Sequence, residues 1–415
     1  MRELLSFPRN IYQGWLWLLM LSFSYERPIL IVSSMDRINP RFFDVVLLVG
    51  VALFSISKTR AKKNPVFMRW AMIVLWFVFC VVLGGLFFDF PLNIIEYMFF
   101  FLFRYLKGLV AIYLVLKIPN DKISINDFVV PLIWGGLFVA VYCVYEMAFE
   151  IDQVVLTETL SINKPPLTVW GPFSGSYFHI AVYVPLIASI CFSKFLTAHN
   201  KDRYFWFFLT AFVAWPIFFS GSRTGIALIF LSFLLIVWYT RKNIKNVIFI
   251  VVAMSASFYS MQKYVNTEDN YTYQRAVNMA SAHEHNSILS RVTLFSKFDI
   301  NEYDKSDWLP FIGAGFYVAP VNDERFRIGY GFHNIFLFIF EQSGVVGLFL
   351  FFAFIVFCIM TLRRYLVKSK WRGDSDIRWV VMASYSYFVA CLVIGVSGHT
   401  FWYGFNTGEF QTLRV

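Results

Sequence analysis

What is missing from this sequence narrows its function first. It has no G-x-x-x-x-G-K-[ST] phosphate loop, so no ATP-driven pump is indicated. Cysteine is scarce: Cys80, Cys143, Cys191, Cys358 and Cys391 each lie inside an apolar run, and no two have metal-ligand spacing. They read as small core hydrophobes without a redox role. His283 and His285 flank Glu284, but no fourth ligand has clear spacing, so no metal is expected. There is no internal repeat, no low-complexity tract, and no pair of broken apolar segments of the kind that inverted-repeat transporters carry. Met1 to Asn10 is short and basic, and the apolar run after it lacks a small-residue cleavage site. No cleavable leader is expected.

What is present in excess is apolar sequence. Of 415 residues, 58% are hydrophobic, and the mean hydropathy is +0.61. Soluble domains average roughly 45–50% apolar. The surplus falls into long runs, and about 20 residues suffice to cross a bilayer. The expected fold is therefore an all-α polytopic integral membrane protein. Spans are expected near 12–33, 42–57, 67–88, 93–116, 128–148, 175–197, 204–220, 223–240, 245–262, 334–362 and 377–399. Phe401 to Phe410 adds a partial twelfth. The chain divides into an N-terminal bundle, 1–262, a large loop, 263–332, and C-terminal helices, 333–415.

The net charge of +10 does not point to nucleic acid, because the basic residues sit in short loops between spans. Lys58, Arg60, Lys62 and Lys63 fill one; Lys201 and Arg203 another; Arg241, Lys242 and Lys245 a third; Arg363, Arg364, Lys368, Lys370, Arg372 and Arg378 a fourth. All fall on one side if the N-terminus is cytoplasmic and every span crosses once. Two loops on the other side are long: Phe149 to Gly171, with Pro165-Pro166, and Lys263 to Phe332. The second carries apolar residues such as Val292, Leu294, Phe295, Trp308 and Phe311, enough to expect a small folded subdomain. The first outer loop has no D-x-D carboxylate pair, which sets aside the metal-dependent sugar transferases that carry one there.

Four groups of residues can carry chemistry. Phe219-Ser220-Gly221-Ser222-Arg223-Thr224-Gly225 is expected to open a span on the outer side. Its hydroxyls, its glycines and a forked cation beside free helix N–H groups suit an anion such as phosphate. The same turn also reads as an N-cap with a snorkelling arginine. Arg291 lies in the large loop, where surface exposure is the plainer reading. His333-Asn334 stands where polar sequence gives way to apolar. A histidine there suits proton transfer near neutral pH, or caps a helix; Asn334 can orient a ring or a sugar hydroxyl, or cap. Arg104 and Lys107 fall inside an apolar run, about a turn apart. Charges at that depth face a cavity or a partner, so a pyrophosphate site and an internal ion pair are both open.

Taken together, three segments resemble the O-antigen ligase and Wzy-type polymerase superfamily. They are Ser220 to Gly225, Ser290-Arg291-Val292-Thr293-Leu294-Phe295 with Phe311-Ile312-Gly313-Ala314-Gly315-Phe316, and His333-Asn334-Ile335-Phe336-Leu337 with Glu341-Gln342-Ser343-Gly344-Val345-Val346-Gly347. The likeness covers about Gly171 to Leu362; the N-terminal third matches in hydropathy only, and the short tail after His399 departs from the usual final span. The resemblance implies an inverting glycosyltransferase of the bacterial inner membrane, its site facing the periplasm. The donor would be an undecaprenyl diphosphate-linked glycan, with neither metal nor nucleotide sugar required. His333 would be the base, and Arg223 and Arg291 would hold the diphosphate. Ser222, Asn334, Arg104 and Lys107 would contact substrate, and a chain-length regulator would be a further partner. Both polymerase and ligase fit; the Ser-Gly-Ser-Arg-Thr-Gly wording and the 50 phenylalanines lean toward the polymerase. A polysaccharide flippase is the rival of another class.

Overall fold

A computed structural model describes residues 4, 7–25, 41–56, 61, 63–87, 106–149, 169, 171–173, 177–198, 200–220, 222–240, 311, 313, 335–372 and 375–395. Among them the chain is helical, without strands: α1 (Ile11–Ser22), α2 (Phe42–Ile56), α3 (Pro65–Phe87), α4 (106–117), α5 (Asn126–Ala148), α6 (Tyr177–Thr197), α7 (Asn200–Ala214), α8 (Pro216–Phe219), α9 (Arg223–Thr240), α10 (Ile335–Arg372) and α11 (Ser375–Gly395). Four segments are long and apolar enough to cross a membrane: Asn126–Ala148, Ile180–Thr197, Ser343–Lys368 and Ile377–Gly395. Large apolar side chains such as Leu48, Phe208, Trp238 and Phe349 face outward, as a lipid-facing wall requires. Among the described residues the chain is an all-helical bundle with several helices able to span a membrane. The spans expected at 245–262 and at the C-terminal tail, and all but two residues of the 263–332 loop, lie outside the described residues.

The helices pack around four apolar clusters, of which three are large. The main core joins α5, α6, α7, α9 and α11 around Val184, Ile187, Cys191, Val213 and Ala383. A second joins α3 to α10 through Ile73, Phe77, Ile339 and Phe351. A third joins α1, α2 and α4 through Leu16, Phe54 and Ile118.

Cross-links of polar groups fix which helix ends lie together. The Asn10 amide donates to the Lys122 carbonyl and the Gln13 amide to Asp127, tying the start of α1 to the start of α5. The Ser193 hydroxyl donates to the Trp379 carbonyl, and Lys194 lies 4.7 Å from the Trp379 ring, tying the end of α6 to the start of α11. Arg69, near the start of α3, sits over Phe357 of α10. One end of the bundle thus gathers Arg69, Lys117, Lys122, Lys194 and Arg203. That is the charge asymmetry expected of loops on one side.

Three expected spans differ from the helices found. α1 stops at Ser22 and not near residue 33, and the Ser22 and Ser24 hydroxyls there donate to the Leu19 and Leu21 carbonyls at 2.6 Å each. The run 204–220 breaks at Trp215 into α7 and the four-residue α8, where Pro216 has no N–H to continue the ladder.

The third is α10, which is not one straight rod. Gly344 has φ 65° and ψ −169°, a backbone conformation open only to glycine, and it divides the helix into a short arm, 335–343, and a long arm, 345–372. Phe336 and Phe352 stand eight residues to either side of Gly344, yet their rings stack with centroids 5.0 Å apart. In a straight helix they would be about 24 Å apart. The short arm is therefore folded back against the long one.

Candidate functional site

At the end of the bundle opposite Arg69, Lys117 and Lys194 lies the turn between α8 and α9. Ser220 is 1% exposed; its hydroxyl donates to the Ile217 carbonyl at 2.8 Å and accepts the Ser222 N–H at 3.2 Å. The Ser222 hydroxyl, 2% exposed, accepts the Gly225 N–H at 3.1 Å. Ser222 is thus the N-cap of α9, and Arg223 is its first residue. Gly225 lets α9 close on its neighbours. A Cβ there would collide with the Ile217 side chain and come within 3.0 Å of the Ala181 backbone of α6.

A second strand of chain buttresses this turn. The Val169 N–H donates to the Phe219 carbonyl at 2.9 Å. Gly171, at φ 70°, turns its N–H onto the Glu146 carboxylate at 2.8 Å. Glu146 is fully buried near the end of α5, and Val169 and Phe173 are buried too. A carboxylate buried at 0% exposure needs donors aimed at it, and the chain after the expected outer loop supplies one. Sequence reasoning passed over Glu146 as a site member; a lone acid three residues from the end of an apolar run was the only signal.

The sequence candidates divide as follows. Ser222 lies in this turn, with its hydroxyl used to cap α9. The Arg223 backbone opens α9 at the same end; its side chain lies outside the described residues. So do Arg291, Asn334, His333 and Arg104. The chain emerges from His333-Asn334 directly into the short arm of α10 at Ile335. The long arm runs antiparallel to α3: Arg69 faces Phe357, Trp70 faces Phe354, and Trp76 faces Ser343 just before the elbow. This sets Gly344 level with the middle of α3, and the folded short arm runs back from it toward Phe352. α9 and α10 both pack on α11.

Lys107 stands elsewhere. Its Nζ is 2.5 Å from Asp44 Oδ1 of α2, and the Phe43 ring lies 6.0 Å away. Asp44 also accepts the Arg41 N–H at 2.9 Å. Both charged side chains are largely covered, at 14% and 19% exposure. Ten residues further along each helix, Lys117 Nζ donates to the Phe54 carbonyl at the basic end. Ten helical residues span about 15 Å, half the thickness of a hydrocarbon core of about 30 Å. For Lys107 the internal ion pair left open by the sequence is the arrangement found, with Asp44 as the partner.

Among the described residues no group of three or more His, Cys, Asp and Glu side chains is placed to hold a metal ion. Compared with known proteins, the chain matches no family model and no curated protein.

Proposed function

We propose that the chain is a membrane glycosyltransferase that polymerises lipid diphosphate-linked oligosaccharide repeats at the end of the bundle opposite Arg69, Lys117 and Lys194, as a Wzy-type polymerase does. On this reading donor and acceptor meet at the capped start of α9. His333 takes the proton of an acceptor sugar hydroxyl as that oxygen attacks the anomeric carbon. The new C–O bond forms as the bond from that carbon to the diphosphate oxygen breaks, and the configuration inverts. Arg223 and Arg291 neutralise the charge left on the departing lipid diphosphate.

The observation that carries this reading is the Ser222-capped turn. It sets Arg223 and the first N–H groups of α9 at the end of the bundle opposite Arg69, Lys117 and Lys194. An anion is favoured at such a terminus. The test is incubation of the purified protein with undecaprenyl diphosphate-linked repeats, with and without lipid A core. Ladders of increasing length support the polymerase, and capped core without ladders supports the ligase. No new glycosidic bond in either mixture ends the reading.

One observation favours transport as the second reading. The Lys107–Asp44 pair lies about half-way through the bundle, where charge commonly serves ion or substrate passage. A flippase retains its product and slows export when His333 is replaced by Ala. A polymerase loses product while still binding substrate.

A further inference from the structure

The outward face of α10 changes character along its length. Val345, Phe349, Val356 and Met360 are all exposed. They recur at steps of four or seven residues, so they share one face of the helix. One turn past Met360 the same face carries Arg363 and Arg364, and one turn further Lys368, all exposed. Tyr365 and Val367 beside them are exposed too. Among the described residues these three cations make no salt bridge; the pairs there are Lys107–Asp44 and Lys122–Asp121. No acidic residue occurs between Glu341 and Asp374.

Helix geometry gives the depth of these cations. From Val345 to Arg363 is about 27 Å of helix, against a hydrocarbon core of about 30 Å. Arg69 faces Phe357, and α3 begins at Pro65. Four residues out from that contact, α3 has reached its first residue and α10 has reached Thr361. The remainder of α10 runs on for about 16 Å past the start of α3. Lys63, exposed just before α3, adds a cation at the same level. The face that meets lipid tails thus turns basic at headgroup depth, and it points away from the packed interior. Long side chains there reach the phosphates while their stems stay on apolar surface. A cluster of one sign attracts a headgroup with net negative charge, and a zwitterionic headgroup offers it no net charge.

We infer that the end of α10, with Lys63, is a docking site for an acidic phospholipid of the phosphatidylglycerol class, in the leaflet at the basic end. The Arg363 and Arg364 guanidinium groups hold its phosphate through forked N–H donors, and Lys368 adds a point charge. The acyl chains lie along Val356 and Met360. The inference does not depend on the glycosyltransferase reading.

The test is native mass spectrometry of the full-length protein in neutral detergent, titrated with dioleoyl phosphatidylglycerol or with dioleoyl phosphatidylcholine. Wild-type protein should bind the glycerol lipid at least about tenfold more tightly. Arg363→Gln, Arg364→Gln and Lys368→Gln together change exposed positions only, and the melting curve should not move. Each cation contributes about fivefold, so the triple variant should bind phosphatidylglycerol roughly 100-fold more weakly. Its binding of phosphatidylcholine should stay within about twofold. Arg364→Gln alone should weaken the glycerol lipid about fivefold, which keeps the test sound if the triple variant is unstable. Lys122→Gln with Lys201→Gln, at the same end of the bundle, should leave that affinity unchanged. Three results overturn the inference. The two lipids bind alike, the triple variant holds phosphatidylglycerol as tightly as wild type, or the Lys122 and Lys201 pair loses as much as the triple variant. Displacement of the lipid by about 10 mM inorganic phosphate, and not by sodium chloride of equal ionic strength, also overturns it, because the site then takes free phosphate.

Discussion

Lys107 and Asp44 form an ion pair between α4 and α2, two helices that run side by side in the same direction from this pair to the Lys117–Phe54 contact. Breaking a covered pair strands the remaining charge, whereas removing both charges does not. Lys107→Met or Asp44→Leu alone should therefore cost about 3 kcal/mol, and the double variant should recover most of it. Chaotrope unfolding in detergent reads this directly. A double variant no better than either single one would show that the two residues do not act as a pair.

The Glu146–Gly171 bond predicts a second cost. Glu146→Ala removes the acceptor of a buried N–H, a loss of about 2 kcal/mol. Gly171→Ala places a Cβ on a residue at φ 70°, with the Ile180 side chain 3.1 Å away; left-handed backbone alone costs an L-residue about 1–2 kcal/mol. Both variants should lower the thermal midpoint of the purified protein. Glu146→Gln, which keeps an acceptor oxygen, should lower it less. A Gln variant as unstable as the Ala variant would place the stabilisation in the negative charge and not in this bond.

At the α8–α9 turn, Ser222→Ala should cost about 1 kcal/mol through the lost cap. Ser222→Asp, which keeps a capping oxygen, should cost less. Gly225→Ala should cost about 1–3 kcal/mol by overpacking against Ile217 and Ala181. These are stability measurements. If Ser222→Ala leaves the melting curve unmoved, the cap contributes nothing.

If His333 is the base, it works only when unprotonated. Turnover under subsaturating donor should fall at acidic pH, where the imidazole is protonated and cannot take a proton. His333→Gln should lose most turnover and remove that acidic limb. A variant that keeps the limb would assign the titrating group elsewhere.

The sequence exposed the helices whose limits are chemical. α2, α5 and α9 begin and end within a residue or two of the expected 42–57, 128–148 and 223–240, because polar residues bracket each apolar run. It hid the changes of direction inside apolar runs. Hydropathy carries no dihedral angle, so Gly344 in Ser343-Gly344-Val345 reads as one more small residue in a span. Pro216 was visible, but a proline near the end of a run also opens helices. In the candidate site, the hydroxyl-rich turn before α9 was legible as an N-cap, since Ser222 stands three residues before Gly225. Glu146 was not, because its partner is a backbone N–H 25 residues away. Lys107 needed a carboxylate 63 positions earlier, one among several acids at comparable distance in sequence.

The Trp76–Ser343 bond joins residues 267 positions apart. During synthesis, α3 is complete long before its partner exists, and its Ile73, Val74 and Phe77 face must wait through the making of α4 to α9. Only when Ser343 has left the ribosome can the indole find its carbonyl and the elbow close. This corner of the bundle is therefore among the last to assemble, and a nascent chain halted before α10 carries that apolar face uncovered.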